Sequence, residues 1–150
     1  MGGRFGGVAS LAPTGVFAAM DARTNTVEWW QRWPDRCYSG SIATAGGLIF
    51  VGRSDGRLMA MDSDNGRALW EFQTGAGANA TAATFQHEGE QYVAILSAGN
   101  VFAGSPRGDS VWLFSLNGML DSAEPAAPLT SAVIGPPIGT PNLGNGRQLY

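Results

Sequence analysis

The chain has 150 residues and 15.7 kDa, room for one core, and its 22 Gly and 8 Pro demand frequent turns. Charged residues make 14% and aromatics 10%, which excludes charge-driven disorder, and a net charge of −3 carried with nine Arg and no Lys excludes a basic nucleic-acid footprint and Lys Schiff-base chemistry. One Cys and one His exclude an intramolecular disulfide and a standard zinc site, and no apolar run approaches the ~18 residues that span a bilayer.

The predicted elements are short strands. Residues 16–20 (Val-Phe-Ala-Ala-Met) and 48–52 (Leu-Ile-Phe-Val-Gly) are apolar runs bounded by Gly, the pattern of buried strands. Residues 57–61 follow the turn signal Ser54-Asp55-Gly56 and should pair with 48–52 as an antiparallel hairpin. After Asp64-Asn65-Gly66 comes strand 68–73, with Leu69, Glu71 and Gln73 on one face and Trp70 and Phe72 on the other. Residues 81–86 and 91–97 flank Glu88-Gly89 as a further hairpin, and 111–116 is a last strand stopped by Asn117-Gly118. No helical stripe interrupts residues 1–118, so this part is all-β. Residues 119–150 hold five Pro, no Trp or Phe, and only Asp121, Glu124 and Arg147 as charges, which reads as an extended Pro/Gly-rich linker.

An internal repeat is the strongest signal. Residues 19–29 (Ala-Met-Asp-Ala-Arg-Thr-Asn-Thr-Val-Glu-Trp) and 60–70 (Ala-Met-Asp-Ser-Asp-Asn-Gly-Arg-Ala-Leu-Trp) start 41 residues apart. Ala19, Asp21 and Trp29 thus match Ala60, Asp62 and Trp70, with Gly66 in the second turn and Asn25 in the first. A partial third copy is Ser115-Leu116-Asn117-Gly118. A period near 40 residues with several short strands is blade spacing in a β-propeller. The repeat's chemistry is structural: Ala admits close approach of a neighbouring sheet, Asp caps the turn, Gly or Asn supplies positive φ, and Trp staples. Burying ~200 Å² of indole is worth up to about 5 kcal/mol, and Trp70→Ala is expected to cost about 3–5 kcal/mol.

These residues resemble the tryptophan-docking motif of the quinoprotein dehydrogenases, eight-bladed propellers that use pyrroloquinoline quinone (PQQ). The run Ser41 to Gly52, then Asp55-Gly56, the second repeat, and Gly89-Glu90-Gln91-Tyr92-Val93-Ala94 follow the order of the C-terminal blades of the alcohol-dehydrogenase branch. The resemblance covers about residues 8–118. It implies an all-β partial propeller, two to three four-stranded blades over residues 1–118, from an oxidoreductase acting on an alcohol. Ca²⁺, a general-base Asp and a vicinal disulfide belong to upstream parts of that family, and no residue here matches them. The remaining blades, the alcohol and a cytochrome acceptor are the implied partners, with a periplasmic location. A non-catalytic repeat propeller acting as a binding scaffold is the alternative.

Two segments are candidates for cofactor or cavity contact by the same resemblance. Tyr38-Ser39-Gly40 stands where methanol-dehydrogenase-like relatives carry Trp-Gly-Gly. Ala98 to Gly104 resembles a Gly-rich cavity loop, in which Asn100 would bond a polar cofactor edge and Phe102 wall the pocket, with Val101 between them a further cofactor-binding candidate; the plainer reading is an apolar loop. Gly144 to Tyr150 resembles the opening of a class I cytochrome c domain, which implies haem c in a domain beyond the linker. His87 reads as an exposed turn residue, and Cys37 as a plain thiol whose pKa Arg36 can lower. Asp35-Arg36, and Asp55 beside Arg53 and Arg57, read as solvated pairs. Met1 to Gly7 lacks the apolar core of a signal peptide.

Overall fold

The structure, a computed structural model, describes Ala12 and residues 14–127. Residues 1–11 and the tail beyond residue 127, with the Gly144–Tyr150 motif, lie outside the described residues. These contain nine strands and no helix: β1 (Gly15–Asp21), β2 (Thr26–Trp33), β3 (Ser41–Ala43), β4 (Leu48–Gly52), β5 (Arg57–Asp62), β6 (Ala68–Gln73), β7 (Ala83–His87), β8 (Glu90–Ser97) and β9 (Ser110–Phe114). All pairings are antiparallel, in three sheets of order β1-β2, β3-β4-β5-β6 and β7-β8-β9. The result is an open partial propeller, with one complete four-stranded blade between a two-stranded and a three-stranded sheet.

Turn chemistry sets the registers. Glu88 (φ 49°) and Gly89 (φ 83°) both take the left-handed conformation that a two-residue hairpin turn needs. The β1–β2 and β5–β6 hairpins carry the same irregularity, a register shift after Ala19 and after Ala60. Ala19 then lies opposite Trp29, and Ala60 opposite Trp70. Strand β9 stops at Phe114, two residues before the predicted end, where Gly118 N–H turns back to the Ser115 carbonyl at 3.2 Å.

The middle sheet is sandwiched. In β5, Leu58, Met59, Ala60 and Met61 are all buried, although such a strand at a protein surface would bury only alternate residues. Met59 and Met61 join Val51, Trp29 and Trp33 in a cluster against the first sheet. Leu58 joins Ala78, Ala82, Val93 and Ile95 against the third. Fully burying Leu58 or Met61 is worth about 2–3 kcal/mol each. The two lateral faces stay open: Trp30 and Val16 are exposed on the first sheet, Val111 and Leu113 on the last.

Connections gather at two ends. Segments 34–40, 53–56, 74–82 and 98–109 meet at one end, and the hairpin turns 22–25, 44–47, 63–67 and 88–89 lie at the other. Residues 119–127 form no strand. Ala123 N–H donates to the Gln73 carbonyl at 2.9 Å, and Ala126 N–H to that of Gly75 at 2.6 Å.

Candidate functional site

Arg53 is the charged centre of the loop end. It is 7% exposed, at the close of β4, because Gly52 lets the chain pass against the Ala78 carbonyl. Its guanidinium lies 5.1 Å from the Trp33 ring centroid, a cation–π contact. One terminal nitrogen pairs with Asp35 and also meets Asp55 at 3.2 Å. Asp35 accepts a second hydrogen bond from Ser54 N–H at 3.0 Å. Asp35 therefore pairs with buried Arg53 and not with its neighbour Arg36, and the expected solvated pair is corrected. The sequence hides this because the partners stand 18 residues apart and meet only when β2 packs beside β4. The Arg53 Nε is buried without a partner among the described residues.

A closed circuit of hydrogen bonds runs outward from this centre. Ser54 Oγ–H donates to the Arg36 carbonyl at 2.6 Å, and Asn79 Nδ2 donates to Ser54 Oγ at 3.0 Å. Ser105 Oγ–H donates to Asn79 Oδ1 at 2.6 Å, and Asn100 N–H donates to Ser105 Oγ at 2.7 Å. Asn100 Oδ1 accepts from Phe102 N–H at 2.8 Å and from Ala103 N–H at 3.3 Å. The Arg36 guanidinium closes the loop by donating to the Phe102 carbonyl at 2.6 Å. Four segments far apart in sequence are joined in this way. A cavity of about 210 Å³ opens beside them, lined by Asn79, Ala80, Leu96, Gly99 and Asn100.

The residues singled out from sequence divide by role. Asn100, Val101 and Phe102 share this end with Tyr38 and Ser39. Ser39 Oγ lies 2.8 Å from the Ala80 carbonyl and 2.7 Å from its neighbour's, and accepts Gly52 N–H at 3.3 Å, so its hydroxyl is spent within the chain. Tyr38 and Phe102 are 49% and 72% exposed, so both rings are presented to the outside. Asn79, Ser54 and Ser105 are the site residues absent from the sequence reading, which places Arg53 in a solvated pair. Ser54 carries a signal as part of a turn; Asn79 and Ser105 carry none without the fold.

The repeat residues lie at the opposite end and between sheets. Asp21 Oδ1 accepts Arg23 N–H at 2.8 Å and Asp62 Oδ1 accepts Asp64 N–H at 2.9 Å, each capping its turn. The Arg23 contacts hold the Asp21 carboxyl below the ordinary carboxylate range. Trp29 is 9% exposed and donates Nε1–H to the Ser63 carbonyl at 2.9 Å. Trp70 is 41% exposed, meets Phe114 edge-on at 5.5 Å, and its N–H has no partner among the described residues. The two copies thus differ in burial. His87 is exposed in its turn. Partial burial and the Asp35 charge push the Cys37 thiol up, opposed by Arg53. That direction is opposite to the one expected from Arg36. Among the described residues no three His, Cys, Asp or Glu converge as metal ligands, and no helix is long and apolar enough to cross a membrane.

The chain is similar to known proteins. Residues 6–93 match the family described as the PQQ glucose/ethanol/alcohol dehydrogenase β-propeller domain. Quinohemoprotein alcohol dehydrogenase ADH IIB of Pseudomonas putida is 31% identical over 95% of this chain and 23% of its own length. The 1-butanol dehydrogenase (quinone) of Thauera butanivorans is 42% identical over 52% of this chain and 14% of its own. Among solved structures, quinohemoprotein alcohol dehydrogenase ADHIIG of Pseudomonas putida HK5 superposes with a TM-score of 0.69 at 30% identity, over 76% of this chain and 18% of that one. The Comamonas testosteroni quinohemoprotein alcohol dehydrogenase gives 0.66 at 27% identity, over 77% and 18%. The chain spans less than a quarter of each of these relatives.

Proposed function

Because the chain belongs to the PQQ β-propeller family of glucose, ethanol and alcohol dehydrogenases, we propose that it forms part of the propeller wall of an enzyme that oxidises an alcohol and passes the electrons to a cytochrome. The observation that carries this reading is the joining of segments 34–40 and 98–109 at one loop end, through the Arg36 guanidinium on the Phe102 carbonyl, within a chain whose relatives are quinone-dependent alcohol dehydrogenases. The remaining blades of the ring pack against the two apolar lateral faces. The reading expects the chain to be inactive by itself, because the metal and the general base belong to other parts of the ring in that family.

The donors at the loop end fit the quinone's chemistry. Asn100 Nδ2 and the Tyr38 hydroxyl make no hydrogen bond among the described residues, and both can donate to carbonyl or carboxylate oxygens. PQQ, when bound, supplies a two-electron acceptor for the hydride equivalent of the alcohol. Asn100 and Tyr38 would hold its polar edge, while Val101 and Phe102 exclude water from the reacting carbon. The Ca²⁺ ligands come from elsewhere in a longer polypeptide. Residues 119–150 act as a linker towards a haem c domain, and the enzyme works in the periplasm; the resemblance of Gly144–Tyr150 to a cytochrome c start supports the first point.

The test is reconstitution of the polypeptide that carries this chain with PQQ and Ca²⁺. Alcohol-dependent reduction of an artificial dye, together with quinone absorbance, is expected. A protein that shows neither is not this enzyme, and a scaffold role would stand in its place.

A further inference from the structure

On the reading that the loop end holds the reaction site, we propose that Arg36 is a positioning residue for substrate selection: by bonding the Phe102 carbonyl it locks loop 98–109 so that Val101 and Phe102 form a fixed apolar wall for the alkyl part of the alcohol. The loop tip is a rigid unit of its own. Asn100 Oδ1 caps Phe102 and Ala103, Ser105 N–H returns to the Asn100 carbonyl at 3.2 Å, and Gly104 N–H to that of Val101 at 3.2 Å. The base is equally fixed, with Gly77 N–H on the Pro106 carbonyl and Gly99 N–H on that of Gly77, both at 2.9 Å.

A rigid tip on a fixed base still needs an orientation relative to the neighbouring blade. Among the described residues the Arg36 guanidinium is the side chain that reaches the tip's carbonyls from the first sheet's connection. Arg36 starts from an anchored backbone: its own carbonyl accepts Ser54 Oγ–H, and the preceding Asp35 is clamped by Arg53 and Ser54 N–H. Val101 and Phe102 remain 59% and 72% exposed on this tip, so their backbone is bound while their side chains are presented. Apolar side chains held outward in this way read the apolar part of a ligand. The length of the alkyl chain is the property such a wall measures.

The test compares Arg36→Ala and Arg36→Lys in the polypeptide carrying this chain, with and without PQQ and Ca²⁺. Without cofactor, amide exchange at residues 101–104 should rise about tenfold in Arg36→Ala and stay near wild type in Arg36→Lys, which can still donate to the carbonyl. With cofactor, Arg36→Ala should raise KM for 1-hexanol about tenfold while KM for ethanol moves less than about twofold, and Arg36→Lys should restore the preference. Unchanged exchange, or equal KM changes for both alcohols, overturns the proposal while wild-type activity keeps the enzyme reading intact. Wild-type protein that oxidises neither alcohol removes the enzyme reading and this inference with it.

Discussion

Trp29 and Gly66 meet ring against backbone across the boundary between the first and second sheets: a Cβ placed on Gly66 would lie 2.6 Å from the indole Cδ2. The same turn supplies both of the flanking acceptors, the Ser63 carbonyl for the indole N–H and the Gly66 carbonyl for Gln31 Nε2. Gly66 also sits at φ 70°. Its missing side chain therefore serves two needs, a left-handed turn and a flat surface for an indole.

Gly66→Ala should cost about 3 kcal/mol, combining left-handed strain with displacement of the ring. Gly89→Ala meets nothing within 4 Å at φ 83° and should cost about 1 kcal/mol from strain alone. Urea midpoints of the two variants separate the contributions. Equal losses would mean that the Trp29 contact adds nothing.

The two repeat tryptophans should not be equivalent. Trp29→Ala removes a buried, hydrogen-bonded indole and should cost about 3–5 kcal/mol. Trp70→Ala should cost only about 1–2 kcal/mol, because its ring is partly in water and its N–H has no partner among the described residues. This revises the larger loss that the repeat alone implies for Trp70. Thermal denaturation of both variants checks the order.

Arg53→Met should destabilise the chain by about 2–3 kcal/mol. It leaves Asp35 and Asp55 facing each other across the space the guanidinium occupied, and removes the contact over Trp33. The further change Asp35→Asn should recover part of the loss by removing one of the two charges. No recovery in the double variant would show that packing on Trp33, not charge, carries the effect.

Cys37 should react slowly with iodoacetamide near neutral pH. Its folded pKa is raised by partial burial and by the Asp35 charge, so the thiolate forms only above the ordinary thiol range. The alkylation rate should rise later with pH in native protein than in urea-unfolded protein. Coincident rate–pH curves would contradict this direction.

The isolated chain should self-associate. Its terminal sheets expose Trp30 at 62% on one side and Val111 at 72% on the other, together with strand edges at β1 and β9 that are unpaired among the described residues. Sedimentation velocity should show concentration-dependent oligomers. A monodisperse monomer would mean that the faces are covered from within the chain.

Local structure was readable where the cause is local. Strands 48–52, 57–61 and 68–73 stand out because apolar runs alternate with Asp-Gly and Asn-Gly turns, and Asn25 and Gly66 take positive φ for reasons written in their own residue type. Strand β2 was hidden: Trp29, Gln31 and Trp33 alternate on one face, but Trp30 and the charges of Glu28 and Arg32 on the other mask the pattern. Strand β3 has three residues, too few for any period to register. At the loop end, only resemblance to a family singles out Tyr38 and Asn100. Arg53 was misread because a charge after a strand looks solvated until a second sheet covers it.

Sequence alone determined the class of fold, the blade repeat and the absence of Lys and of paired Cys, since composition, turn chemistry and 41-residue spacing need no partner to be read. Tertiary structure decided which Trp is buried, which Asp meets Arg53, and that Arg36 reaches Phe102 across 66 positions of chain. The physical reason is that burial and ion pairing depend on what a neighbouring sheet brings within a few ångströms. Matching repeat residues acquire different energies when one faces a packed blade and the other an open groove.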